Sequence, residues 1–148
     1  MSDLRELYQE LILDHAHHPR NFRHLVGANR KAEGYNPLCG DRLTVEASER
    51  DGVVEEVGFL GQGCALCLAS ASTMTESVKG RARAEVDEMW RSFRILVTTG
   101  QAPVESQLPP KLAVFAHVAT FPMRVKCTTL AWHTLAAALA GNPRTSTE

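Results

Sequence analysis

The sequence predicts an α+β fold, with a small antiparallel sheet of about three strands packed with about five or six helices. Three observations predict it. Around residue 50 the chain alternates apolar and polar residues with a period of two and turns at Asp51-Gly52. On either side of that hairpin, apolar residues recur at helical spacing. The order is helix, short sheet, then helices, so the two element types are segregated along the chain rather than interleaved.

The first helix is expected from Asp3 to His17, where Leu4, Leu7, Tyr8 and Leu11 fall at i, i+3, i+4 and i+7. Asp3 with Glu6 resembles a capping box, and Pro19 ends the helix. Residues 20–40 read as loop or short extended pieces. "RLTVEAS" places Leu43, Val45 and Ala47 on one face and Thr44 and Glu46 on the other. "VVEEVGFL" is the return strand, with Val57 and Phe59 on a shared face. "GQGC" breaks that strand, and a helix follows from Cys64 to Val78. The next spans Val86 to Val97, with Val86, Met89, Trp90, Phe93 and Val97 on one side and Gly100 as its stop. Pro109-Pro110 start another, with Leu112, Phe115, Ala116 and Ala119 inward. The last runs from Val125 to Ala140, ending at Gly141 with Pro143 beyond. The tail "RTSTE" reads as frayed.

At 148 residues one domain, spanning 1–148, is the expectation. The chain is 44% apolar and 22% charged with a net charge of −1, so it lacks the basic surplus of a nucleic-acid-binding protein. No apolar run approaches the roughly 20 residues of a membrane span. "MSDLRELYQELILDH" alternates charged and apolar residues and lacks the unbroken apolar core of a signal peptide. A cytoplasmic protein is expected, and in a reducing compartment four cysteines point to metal or thiol chemistry before disulfides.

Cys39 stands between a proline and a glycine in "YNPLCGDRL", in the loop entering the first hairpin strand. Cys64 stands where the second strand becomes a helix, and Cys127 at the start of the last helix. Element ends are where ligand sites gather, and a helix start favours thiolate over thiol. Gly61 and Gly63 let the backbone approach closely beside Cys64. With Asp41, the three thiolates make a four-donor set suited to tetrahedral zinc. The donors come from three distant segments and include one oxygen, which points to reactive rather than purely structural metal binding.

Other groups have plainer readings. Cys64 and Cys67 form a C-x-x-C, but the βαβ setting of a thioredoxin-like pair is missing. Cys67 reads as a small apolar residue on the inner side of its helix. The glycines of "GFLGQG" fit neither the dinucleotide nor the P-loop spacing. His15, His17, His18 and His24 read as solvated groups near a helix C-terminus. His117 and His133 read as helix surface or core edge.

Three motifs, "NPLCGD", "GQGCALCLASAS" and "RVKCTTLAW", give the chain a further identity. Over nearly its whole length it resembles the U-type iron–sulfur cluster assembly proteins, and within them the SufU branch most. The resemblance implies a small antiparallel sheet packed with helices, of the SufE/NifU-like kind. It implies that Cys39, Asp41, Cys64 and Cys127 form the metal and sulfur site, and that Arg124 neutralises thiolate charge. It also implies a partner, a pyridoxal-phosphate (PLP)-dependent cysteine desulfurase that carries a persulfide. Two features set the chain apart from the scaffold branch. Lys126 stands where that branch has a histidine, and "FPMRV" stands where it has its chaperone-recognition stretch. The segment between Cys64 and Cys127 is long, as in the SufU branch.

These features imply a zinc-dependent sulfur acceptor. Cys39 is the expected acceptor and Cys127 its rival, with sulfur passing on to a downstream iron–sulfur scaffold. The alternative is a scaffold on which an Fe–S cluster is assembled. A third reading is a structural zinc-binding domain that docks a partner.

Overall fold

Helix α1 (Leu4–His17) leads into a strand β1 (Arg30–Asn36), which pairs with β2 (Asp41–Arg50) and through it with β3 (Val53–Gln62). Helix α2 (Ala65–Val78), the short strand β4 (Arg81–Ala82) and helix α3 (Arg83–Thr99) follow. A short α4 (Pro110–Ala113) runs into a 3₁₀ helix (Val114–Thr120), and α5 (Pro122–Leu139) and strand β5 (Arg144–Ser146) complete the order. This computed structural model describes residues 4–147, apart from the side chain of Leu4. The expected Asp3–Glu6 capping box lies outside the described residues.

The fold is α+β as expected, but the sheet is larger and mixed. Five strands lie in the order β4-β3-β2-β1-β5, antiparallel except for the parallel pair β1–β5. Three segments carry no strand pattern, the two-residue β4 among them. Residues 30–36 turn only Ala32, Gly34 and Asn36 inward, and these small or polar residues give no hydrophobic alternation. Gly34 is small for a reason: a Cβ there would collide with Thr134 of α5. The tail expected to fray instead forms β5. Its backbone pairs with β1, flanked by Glu33 N–H donating to the Pro143 carbonyl (2.9 Å) and Thr147 N–H to that of Tyr35 (3.2 Å).

The β2–β3 hairpin forms as its sequence dictates. Asp51 and Gly52 both have positive φ (53° and 77°), the conformation of a type I′ turn. Between Ser48 and Glu49 the register slips by one residue. That bulge lets Val54 and Val57, three apart, both face inward. Leu43, Val45, Ala47, Val57 and Phe59 are each at most 2% exposed and form the sheet side of the core.

The helices cover that face. The core is built of the inner sheet residues, the buried side of α2 and the apolar residues of α3 and α5. Phe93 of α3 stacks on Trp132 of α5 at 5.2 Å, and Trp132 stacks on Trp90 at 5.9 Å. The inward face of α1 is Tyr8, Leu11, Ile12 and His15, while Leu7 is half exposed. His15, expected to be solvated, is buried, and its Nδ1 lies 2.7 Å from Ser72 Oγ on α2. The segment after Pro109 buries Leu112 and Phe115 as expected, but Val114 and Val118 share that role.

Candidate metal and thiol site

Cys39 lies at the tip of the β1–β2 hairpin, not in a loop before the first strand. Asn36 and Asp41 are the closing pair. The Asn36 carbonyl accepts the N–H groups of Gly40 (2.8 Å) and Cys39 (3.3 Å). Gly40 takes φ 75°, the left-handed conformation glycine adopts without strain. The tip is exposed, and Cys39 with it.

Asp41 opens β2 and is 2% exposed. Burying a carboxylate is costly unless its oxygens are hydrogen-bonded. Here Oδ1 accepts the Cys64 N–H (3.0 Å) and Oδ2 accepts Asn36 Nδ2–H (3.4 Å). Cys64 is the N-cap of α2, as its place in the sequence suggests, and its sulfur accepts the Cys67 N–H at 3.4 Å. Gly63 leaves room for this approach. A Cβ there would lie 2.9 Å from Cys67 Sγ and 3.0 Å from Asp41 Oδ1.

Cys127 differs from expectation. Helix α5 begins at Pro122, because proline is tolerated at a first helical position. Cys127 is therefore more than a turn inside the helix, beyond the free N–H groups of its start. It is 4% exposed, and its sulfur bonds the Met123 carbonyl one turn back, at 3.7 Å. Its sulfur also lies 3.1 Å from that of Cys39.

The four expected ligands come together unequally. One donor atom each from Cys39, Asp41 and Cys127 lie within 4.8 Å of one another. Cys64 joins them through its backbone bond to Asp41 and as a wall of the same groove. The donor chemistry fits zinc. Ligand atoms about 2.0–2.3 Å from one ion stand roughly 3–4 Å apart, and thiolate with carboxylate is a donor set zinc accepts. All four cysteines are free thiols.

The electrostatics separate the thiols. The neighbouring Cys127 thiol, helped by backbone N–H groups of the α2 start, brings the Cys64 pKa down to about 6. The same contact, together with burial, pushes Cys127 up. Burial, then the charges of Asp41, Cys64 and Cys39, push Cys67 up. Cys67 is fully buried, as its inward reading requires.

Arg124, in the first turn of α5, places its guanidinium 5.5 Å from the ring centre of Phe121. It lines a groove of about 730 Å³ with Tyr8, Leu13, Leu66 and Met123, and with Cys39, Cys64 and Cys127 in its wall. Burial raises the Tyr8 pKa and the Arg124 charge opposes that rise. Asn36 and Met123 are site residues that the sequence does not announce, and Tyr8 reads from sequence only as part of the apolar face of the first helix. The only sequence mark of Asn36 is its place beside the "PLCGD" turn, and its burial shows only in the fold.

The chain is similar to known proteins over most of its length. The NifU-like N terminal domain matches residues 7–147. The iron-sulfur cluster assembly scaffold protein IscU of Streptococcus pyogenes serotype M1 is 32% identical over 139 residues, covering 94% of this chain and 86% of that one. The zinc-dependent sulfurtransferase SufU of Bacillus subtilis is 32% identical over 134 residues, 90% of each chain. A crystal structure of a putative iron-sulfur cluster assembly scaffold protein for the SUF system, from Fervidobacterium islandicum AW-1, superposes with a TM-score of 0.81. It is 31% identical and covers 88% of this chain and 94% of that one.

Proposed function

Because the chain belongs to the NifU-like N terminal domain family, we propose that it acts in iron–sulfur cluster assembly as a zinc-dependent sulfur acceptor of the SufU kind. The observation that carries this reading is the exposed Cys39 sulfur at a hairpin tip, 3.1 Å from the buried Cys127 sulfur and within reach of Asp41. A site meant only for structure has no need of a ligand at an exposed tip.

Cys39, Asp41, Cys64 and Cys127 would hold the zinc. Bound zinc keeps thiolate ligands deprotonated at neutral pH. The partner is a pyridoxal-phosphate-dependent cysteine desulfurase bearing a persulfide. The Cys39 thiolate attacks the outer sulfur of that persulfide. A sulfur–sulfur bond forms at Cys39, the one on the desulfurase breaks, and the electron pair leaves with the desulfurase cysteine as a thiolate. Electrons balance within the exchange, so no separate oxidant is required.

The chain's other groups support that step. Arg124 brings positive charge to the groove where negative sulfur gathers. Apolar Leu13, Leu66 and Met123 line the approach and suit a protruding, weakly charged segment of the partner. Cys127 is the rival acceptor, and its burial favours Cys39 over it. The persulfide then passes to a downstream scaffold. Four unpaired thiols suit a reducing compartment, and we place the protein in the cytoplasm. No helix among the described residues is long and apolar enough to cross a membrane.

A second reading is a scaffold on which the cluster itself, as cargo, is built. The name of the Streptococcus relative and the gathering of three thiols favour it. Metal analysis with desulfurase kinetics separates the two. Tight zinc and faster desulfurase turnover in the presence of the chain support the acceptor. A stable, transferable cluster after anaerobic reconstitution supports the scaffold. Thiols that resist alkylation, with no effect on the desulfurase, support a structural zinc domain.

A further inference from the structure

Asn36 is 0% exposed, and its side chain touches two of the candidate ligands. A buried amide persists in a core only when its donors and acceptor are satisfied. Nδ2–H donates to Asp41 Oδ2 (3.4 Å) and to Cys127 Sγ (3.7 Å). Oδ1 accepts the Leu38 N–H (3.3 Å) and the Thr147 hydroxyl (3.0 Å). The orientation is fixed. A backbone N–H can only donate, so the atom facing Leu38 is the oxygen, and the amide nitrogen faces Asp41 and Cys127.

Thr147 follows β5, the strand that the sequence does not announce. Its N–H donates to the Tyr35 carbonyl at 3.2 Å, which continues the β1–β5 pairing to the edge of the site. A closed path results. Helix α5 carries Cys127, the chain after α5 returns along β1, and Thr147 bonds the residue that bonds Cys127. Arrangements of this type fix the orientation of ligand groups before an ion arrives, and outer partners of metal ligands commonly change affinity about 10–100-fold.

We propose that Asn36 is a positioning residue for Asp41 and Cys127, and that the segment Arg144–Thr147 holds Asn36 through the Thr147 hydroxyl, so that β5 helps set how firmly the site keeps its ion. The part concerning the ion rests on the zinc reading above. The positioning itself does not.

The test compares Thr147→Val, which keeps the branched shape and backbone pairing but removes the hydroxyl, with Thr147→Ser, which restores it. Two quantities are read. One is the rate at which a chromophoric chelator strips zinc from the loaded protein. The other is hydrogen–deuterium exchange of residues 36–41 in the protein as purified. We expect Thr147→Val to speed both about three- to tenfold, the scale of one lost hydrogen bond, and Thr147→Ser to return both to wild type. A purely structural role for Thr147 moves neither, because the valine preserves packing. Exchange is read with or without zinc. Failure of the zinc reading therefore shows as no metal to strip, whereas identical exchange in wild type and Thr147→Val overturns the positioning role. Asn36→Ala provides a second check. Its chelator release is expected to exceed that of Thr147→Val, and release at the wild-type rate also overturns the proposal.

Discussion

The sulfur of Cys39 lies 3.1 Å from the sulfur of Cys127, 88 residues further along the chain. A hairpin tip and the interior of a helix are thus brought to one point by the packing of α5 under β1 and β2. Removing a bound ion should leave these two thiols free to join. In chelator-treated protein exposed to diamide, peptide mapping is expected to find a Cys39–Cys127 disulfide as the main product, because sulfurs already in contact need the least movement to reach the roughly 2.05 Å bond. Zinc-loaded protein should form it at least about tenfold more slowly, its thiolates being engaged. A Cys64–Cys67 bond as the main product would contradict the geometry.

Asp41 is the only oxygen donor of the proposed set, and both its oxygens are hydrogen-bonded. Asp41→Ala removes the donor and leaves the Cys64 N–H and the Asn36 amide without their acceptor. Zinc affinity, measured by competition with a chelator, is expected to fall by at least about the 10–100-fold that outer partners alone command. Unchanged affinity would remove Asp41 from the set.

Gly61 takes φ 145°, and a Cβ there would overlap the Arg42 carbonyl oxygen on the neighbouring strand. Gly61→Ala should therefore destabilise the sheet beside the site by about 1–3 kcal/mol. A lowered denaturant midpoint at an unchanged slope is the expected result.

His15 links the protein's stability to pH. Burial holds its pKa below the ordinary 6.5, with the Arg20 charge adding to the effect and Glu76 and Asp14 opposing it. The unfolded chain takes up the proton first as pH falls, so this contribution is intact above about pH 6.5 and is lost as pH drops through 6.5 toward the lower folded-state value. His133 is lowered in the same direction by burial and Arg94. Denaturation midpoints between about pH 7.5 and 5.5 should fall less steeply in His15→Gln than in wild type. The two slopes should differ by no more than about 1.4 kcal/mol per pH unit, the ceiling for one proton. Equal slopes would show that His15 does not titrate in this window.

The sequence carried the elements with strong periodicity or punctuation. The β2–β3 hairpin, α2 capped by Cys64, and α3 ending at Gly100 all form where the pattern and the turn residues place them. Segments placed by strand pairing and close backbone packing leave no such trace. The residues β1 turns inward are Ala32, Gly34 and Asn36, chosen for tight packing on α5 and for the site. β5 has no buried apolar residue, so its place depends on a partner strand that the local sequence cannot reveal. The candidate ligand residues stand out by type and setting, and the structure gathers Cys39, Asp41 and Cys127. Asn36, which touches two of them, went unread because an asparagine before a proline looks like an ordinary turn residue.

One measurement bears most directly on the sulfur-acceptor reading. The protein is mixed with a persulfidated cysteine desulfurase, and its cysteine peptides are mapped by mass spectrometry under non-reducing conditions. The account predicts one added sulfur on the Cys39 peptide, and none anywhere in Cys39→Ser. Sulfur taken up at the normal rate by Cys39→Ser, or no sulfur on any thiol of the wild-type chain, would contradict it.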